Sequence, residues 1–355
     1  MKLDIDDDIC KAKTIPSKFY HSSKVYRKLR KLFNRSWQFV GDTDLLEKNN
    51  AHPDILLEGM VDEPYVLTKD GENIRCLSNV CTHRGTIVCE KATKTKNLVC
   101  GYHGRQFRID GKMKFMPEFE EVENFPSESD NLPRIEMDMW KKMIFIINDR
   151  KCDISELIGP MIERLSWLPI EEFKYKPEMS RIYNVKANWA LYCDNYLEGF
   201  HIPFVHKDLN QTLEYDEYFT EGIDNTVLQI GIGKDNENTF DLPKSHQDYG
   251  KNVAAYYFFL FPNMMFNFYP WGLSVNVVKP KSPEETQIEY FTYVWKEELM
   301  EKGAGSGLDK VELEDEEIVE SVQKGIKSKA YDRGRYSPRR EIGVHYFHKL
   351  IQKYY

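Results

Sequence analysis

Cys81 and His83 stand in the stretch CTHRG, and Cys100 and His103 stand in CGYH. Each stretch joins one thiol to one imidazole beside a glycine, as a loop that wraps a metal centre requires. Four such ligands can hold Zn2+ or an iron–sulfur cluster. A zinc finger of the two-cysteine, two-histidine type pairs Cys with Cys and His with His. Here each loop supplies one of each. That suits a 2Fe-2S centre in which the thiolates hold one iron and the imidazoles the other. Imidazoles remove negative charge from such a cluster, so its potential lies above that of an all-cysteine one. The nearby Cys76 and Cys89 read as buried thiols.

A second stretch, DNYLEGFHIPFVH, carries Glu198, His201 and His206, with Asp194 and Asn195 as supporting candidates. Taken alone, two histidines five residues apart are a weak signal, and each reads better as a satisfied structural residue. A third acidic stretch, LEDEEIVESVQKG, offers Glu314, Asp315, Glu316 and Glu317 as carboxylate ligands, and charge alone does not choose among them.

The elements that must position these residues fall into three stretches. Residues 1–36 form an N-terminal segment with a basic helix over 17–33. Residues 37–150 alternate short β-rich runs with Gly, Asp, Asn and Pro, the pattern of a small antiparallel β domain. Within it FPSESDNLPRIE reads as loop and MDMWKKMIFIIN as a closing strand. Residues 151–355 mix helices with several strands. DISELIGPMIERLSWL, ALYCDNYLEGFHIPFVH, 308–330 and 338–354 read as helical, and NTVLQIGI, VAAYYFFLF, MMFNFYPWGLSVNVV and TQIEYFTYVW as strands. The expected class is α+β: an all-β domain, then an antiparallel sheet with packed helices.

The 355 residues suit about two domains on a soft prior of roughly 150 residues each. With 41% hydrophobic and 30% charged residues the chain reads as globular. The net charge of −8 and the lack of a dense basic tract argue against nucleic acid as a partner. No apolar run is long enough to span a membrane, and the N-terminus has no apolar export signal. An odd number of cysteines, seven, argues for reduced or metal-bound thiols and a cytoplasmic location.

The HRG and YHG contexts make the first cluster resemble the Rieske 2Fe-2S family. A Rieske domain followed by Glu198, His201 and His206 resembles the α subunits of Rieske non-heme iron oxygenases, and the likeness runs from about Trp37 to the C-terminus. It implies a helix-grip-like catalytic domain in which His201, His206 and Asp315 hold Fe(II) and leave positions open for O2. Glu198 would link a neighbouring subunit's Rieske histidine to an iron ligand. Choline- and carnitine-type members have Glu there, many aromatic-ring members Asp, and ESVQKGIKSKAYDRGRYSPRREIGVHYFH also resembles the quaternary-ammonium branch. The sequence departs from many relatives at Arg105, where they have Trp after YHG; that change bears on potential or docking. No Gly-rich nucleotide motif is visible, so electrons from NAD(P)H would arrive through a separate reductase or ferredoxin. The resemblance further implies a head-to-tail ring, a homotrimer.

The implied activity is hydroxylation of a small organic substrate with O2, either N-methyl oxidation of a quaternary ammonium compound or ring hydroxylation of an aromatic acid. The aromatic residues between Tyr256 and Trp271 suit a cation–π cage, a hydrophobic cavity or plain core. A Rieske electron carrier without oxygenase chemistry and a zinc-stabilised binding protein are the rivals from other classes.

Overall fold

The computed structural model describes residues 2–150, 152–300 and 302–355. They form two compact units, one of residues 33–151 and one of residues 1–32 with 152–355. The N-terminal segment is thus no separate body. Thr14 N–H donates to the Gly334 carbonyl at 3.2 Å and Ser17 N–H to that of Asp332 at 2.8 Å. Its helix begins at Ser23 and ends at Asn34; residues 17–20 make only a 3-10 turn.

The unit of residues 33–151 contains a six-stranded antiparallel sheet in the order Gln38–Asp42, Met143–Ile147, Arg134–Trp140, Asn73–Ser78, Glu63–Asp70, Ala51–Leu56. A three-stranded sheet of Asn97–Val99, Gln106–Arg108 and Met113–Phe115 accompanies it. One apolar core, including Val66, Leu77, Leu98 and Phe107, also takes in Cys81 and Cys100. The closing strand expected over MDMWKKMIFIIN is a hairpin. Arg134–Trp140, part of it read as loop, pairs with Met143–Ile147 across a turn in which Lys141 takes φ 55°.

The second unit is built on an eight-stranded antiparallel sheet. Its central strands Val253–Leu260, Met264–Tyr269 and Gly272–Ser282 are nearly all buried, which explains their continuous apolar runs. The run MMFNFYPWGLSVNVV is two strands, because the chain reverses at Pro270 and Trp271. The C-terminal helix Ile342–Tyr354 packs on Phe219–Ile223 and Thr226–Ile232. The helices Trp189–Tyr196 and Leu308–Gly325 pack on each other. Among the described residues no helix is long and apolar enough to cross a membrane.

Candidate active site

The two ligand loops of the smaller unit are built alike. Gly85 N–H donates to the Cys81 carbonyl at 2.9 Å, and Gly104 N–H to that of Cys100 at 3.1 Å. Both glycines take positive φ, 76° and 71°, where a side chain would be strained. Just beyond them, Cys81 N–H donates to the Thr86 carbonyl and Cys100 N–H to that of Arg105, both at 2.8 Å. Each loop is therefore closed twice around its ligands.

Cys81 and Cys100 are buried, while His83 is half-buried and His103 exposed. The imidazoles lie 4.8 Å apart between ring centroids. Burial and the neighbouring Cys100 thiol push the Cys81 thiol up from its ordinary value. Thiols on the inside and imidazoles on the outside are the donor set that a mixed-ligand 2Fe-2S cluster needs. Arg105 is 2% exposed, too buried for a docking surface. Its Nη2 donates to Asp130 Oδ1 at 2.8 Å and to the Asp130 carbonyl at 3.1 Å. Thr82 Oγ1 donates to that same carbonyl at 2.8 Å, so Asp130 clasps the two ligand loops together.

In the larger unit a single short helix, Ile202–Val205, separates His201 at its start from His206 at its end. That turn brings the imidazoles to 4.9 Å between centroids. The single helix expected over ALYCDNYLEGFHIPFVH is instead two. The Trp189–Tyr196 helix stops, and the chain passes Gly199, where a Cβ would meet the Tyr218 ring at 3.2 Å.

Asp315 reaches the histidines from the Leu308–Gly325 helix. Its Oδ1 lies 3.0 Å from His206 Nε2 and 3.5 Å from His201 Nε2. One ligand atom from each of the three residues falls within 4.8 Å of the others. The outer ring nitrogens are engaged elsewhere: His201 Nδ1 with Glu198 Oε1 at 2.7 Å, and His206 Nδ1 with Glu314 Oε2 at 2.8 Å. Carboxylates on both Nδ1 atoms turn both Nε2 atoms toward the common point, which fits a 2-His-1-carboxylate iron site. Burial opposes a charge on His206, but Asp315 and Glu314 outweigh it and raise its pKa.

Residues 165–355 match the family of ring hydroxylating alpha subunits (catalytic domain). The chain belongs to that family. Residues 36–126 match the Rieske 2Fe-2S domain, so this is the oxygenase component of a Rieske non-heme iron system, with a 2Fe-2S cluster and Fe2+ as its cofactors. It is 28% identical over 349 residues to the chloroplastic choline monooxygenase of Beta vulgaris, covering 95% of this chain and 76% of that one. It is 29% identical over 356 residues to the carnitine monooxygenase oxygenase subunit of Escherichia coli (strain K12), covering 95% and 92%. The solved structure of a quaternary ammonium Rieske monooxygenase aligns with a TM-score of 0.82 at 26% identity, over 100% of this chain and 99% of that one.

Beside His201, His206 and Asp315 the oxygenase has a cavity of about 120 Å³. Tyr192, Tyr196, Tyr218, Tyr257, Tyr269 and Tyr290 line it. The aromatic run thus divides by strand alternation: Tyr257 faces the cavity, whereas Tyr256 and Phe258 are core. Tyr257 packs edge-on against Tyr269 at 5.9 Å, and Tyr269 stacks on Trp271 at 5.3 Å.

Two rungs join the helices behind the site. Tyr192 donates to Glu312 Oε2 at 2.6 Å, and Asn195 Nδ2 donates to Asp315 Oδ1 at 2.6 Å. Both rungs step three residues along each helix, which keeps them on one face. Asn195 is therefore at the site. Asp194 is not: its carboxylate accepts from Tyr20 at 2.7 Å and faces His348 Nε2 at 2.9 Å. Glu316 and Glu317 are outside the three-ligand group. The sequence reading missed Glu312, Tyr192 and Tyr290. Of these only Tyr192 carried a signal, its place one helical turn before Asn195.

Proposed function

We propose that this oxygenase hydroxylates a carbon next to the charged or polar head of a small quaternary ammonium compound. The observation that carries the reading is the small tyrosine-lined cavity beside His201, His206 and Asp315. Tyrosine faces attract a desolvated cation. At about 120 Å³ the cavity lies below the roughly 300–1,000 Å³ of pockets for drug-sized ligands, which suits a compact substrate better than a polycyclic one. The naming of relatives as choline and carnitine monooxygenases supports the same class.

In this reading His201, His206 and Asp315 hold Fe2+, and Cys81, His83, Cys100 and His103 hold the 2Fe-2S cluster. Bound iron supplies the site at which O2 is reduced and one oxygen atom is delivered to a C–H bond. The C–H becomes C–OH, and two electrons and two protons are consumed in reducing the other oxygen atom to water. The electrons come from NAD(P)H through a separate reductase or ferredoxin. Asn195 fixes the Asp315 carboxylate, and Glu198 and Glu314 fix the two imidazoles. A hydroxylated N-methyl group then loses an aldehyde. We extend the proposal to a head-to-tail homotrimer in which Glu198 bridges the neighbouring subunit's Rieske histidine to His201 on the electrons' path to the iron, and to the cytoplasm, where the five cysteines outside the cluster stay reduced.

A single-turnover assay tests this. Iron-loaded, chemically reduced protein is mixed with O2 and choline, carnitine, glycine betaine or simple aromatic acids, and products are read by mass spectrometry. Aldehyde release or a hydroxylated ammonium compound is the expected result. Ring hydroxylation alone would overturn the substrate class. His201→Ala is expected to keep the cluster spectrum and lose product; unchanged turnover would overturn the iron ligands.

A further inference from the structure

Glu312 is a carboxylate where a sheltered pocket should not hold one without a reason. It is 4% exposed and lines the tyrosine cavity. Both of its protein hydrogen bonds, from Tyr192 and Tyr290, go to Oε2. Oε1 is buried and has no partner among the described residues. Leaving such an oxygen unpaired is costly unless a ligand completes it. Burial pushes the carboxyl up to about 8, against the two tyrosine hydrogen bonds that lower it and with Asp315 and Glu316 adding to the rise, so the ionised form is the one that a cation entering the cavity stabilises.

The rest of the lining says what the ligand carries. Among the described residues that line the cavity there is no Lys or Arg. The groups available beyond the tyrosines are neutral amides and a hydroxyl: Gln229, Asn267, Asn276 and Ser274. Ser274 donates to Asn276 Oδ1 at 3.0 Å, which leaves the Asn276 amide N–H groups as donors for an uncharged oxygen. A substrate carboxylate would be desolvated here with no basic side chain to meet it, beside a carboxylate that repels it. A cation with a hydroxyl meets a counter-charge, aromatic faces and amides.

We infer that Glu312 is the counter-charge for the substrate's ammonium head and that the cavity selects a hydroxyalkyl trimethylammonium monocation over a zwitterionic betaine. This rests on the quaternary-ammonium reading above and narrows it. Glu312 is a specificity-determining residue. It stands one helical turn before Asp315, so a head held beside it lies alongside the iron ligands rather than remote from them. Tyr192 and Tyr290 hold the carboxylate in place through Oε2, and a trimethylammonium head, which has no N–H to donate, answers its charge rather than a hydrogen bond.

Calorimetric titration of the iron- and cluster-loaded protein tests it, with no turnover required. The probes are choline, glycine betaine, and dimethylbutanol, the neutral carbon isostere of choline. Wild-type protein is expected to bind choline at least about tenfold more tightly than glycine betaine, a difference of about 1.4 kcal/mol. Glu312→Gln keeps an oxygen for the two tyrosines, so the site keeps its shape. It is expected to weaken choline by about tenfold or more and leave dimethylbutanol within about twofold. Equal losses for choline and dimethylbutanol, or none for either, would overturn the role of Glu312. Glycine betaine binding as tightly as choline would overturn the preference for a monocation while leaving the quaternary-ammonium reading intact. Wild-type protein that binds neither ammonium compound would overturn both. Iron content and cluster absorbance of the variant, unchanged from wild type, show that the loss is not one of folding.

Discussion

Glu314 Oε2 lies 2.8 Å from His206 Nδ1, on the opposite side of the ring from the Asp315 oxygen that faces Nε2 at 3.0 Å. Neighbours in sequence therefore divide the work at one imidazole. With the Nδ1 proton held by Glu314, the Nε2 lone pair points to the metal position.

This division predicts different metal losses. Asp315→Asn is expected to leave the catalytic unit without bound iron. Glu314→Ala is expected to keep the site but bind Fe2+ about 10–100-fold more weakly, the usual effect of removing an outer partner. Iron titration against a competing chelator measures both, with the cluster absorbance unchanged in each. Equal losses from the two substitutions would contradict the assignment.

Glu198 acts on the other imidazole. Its Oε1 faces His201 Nδ1 at 2.7 Å, and its Oε2 accepts from the backbone N–H groups of Phe200 and His201. The carboxylate is tied down locally and orients the ring, and in the proposed assembly it also lies on the path of the electrons. Glu198→Gln is expected to lower steady-state turnover about 10–100-fold with iron and cluster contents near wild type. Rapid-mixing spectroscopy of the prereduced protein should show cluster reoxidation slowed in proportion. Normal reoxidation with slow turnover would leave Glu198 as an orienting residue only.

The cluster loops were readable because each places both ligand types within a few residues and closes on a glycine, Gly85 or Gly104. The iron site was harder. His201 and His206 sit on one short turn, but Asp315 comes from a distant helix, and only the family likeness singled it out. Glu312 was invisible. The helix Leu308–Gly325 exposes Leu313, Ile318 and Val322 while burying Glu312 and Gln323. Its apolar residues are thus split between two faces, Leu308 and Val311 lining the cavity and Val319 buried, so periodicity does not single out the face that builds the site. The Arg134–Ile147 hairpin was obscured for a similar reason: it turns at two lysines, one at positive φ, without the usual glycine or asparagine.

Arg105 carries a prediction for the smaller unit. Asp130 accepts from Arg105 and, through its carbonyl, from Thr82, so one residue spans both ligand loops. Burial tends to raise the Asp130 carboxyl, but the Ser127 N–H and Arg105 bonds hold it below its ordinary value. Arg105→Ala removes a charge-assisted bond and is expected to cost about 1.5–3 kcal/mol. Heating should then bleach the cluster's visible absorbance at a lower temperature than in wild type. Arg105→Lys, which keeps the charge, is expected to recover part of the loss. Bleaching at the wild-type temperature in Arg105→Ala would remove Asp130 as a clasp.

Asp248 supplies a pH-dependent term in the larger unit. Its Oδ2 accepts from Arg164 at 2.6 Å and from Tyr256 at 3.0 Å, and its Oδ1 from Lys251 at 2.9 Å. These bonds tie the Ser155–Arg164 helix to the strand Val253–Leu260. Burial alone would raise the carboxyl, yet Lys251 and Arg164 outweigh it and hold the pKa below its ordinary value. A carboxylate with a depressed folded-state pKa binds protons more readily in the unfolded chain. Its stabilisation is therefore complete above the unfolded value and is lost as pH falls through the folded one. Asp248→Asn leaves the half-buried Arg164 without its counter-charge and is expected to cost about 3 kcal/mol near neutral pH. Urea unfolding followed by tryptophan fluorescence at a series of pH values measures this. The gap between variant and wild type should be widest near neutrality and narrow on acidification; a gap that does not change with pH would show that Asp248 acts through packing rather than charge.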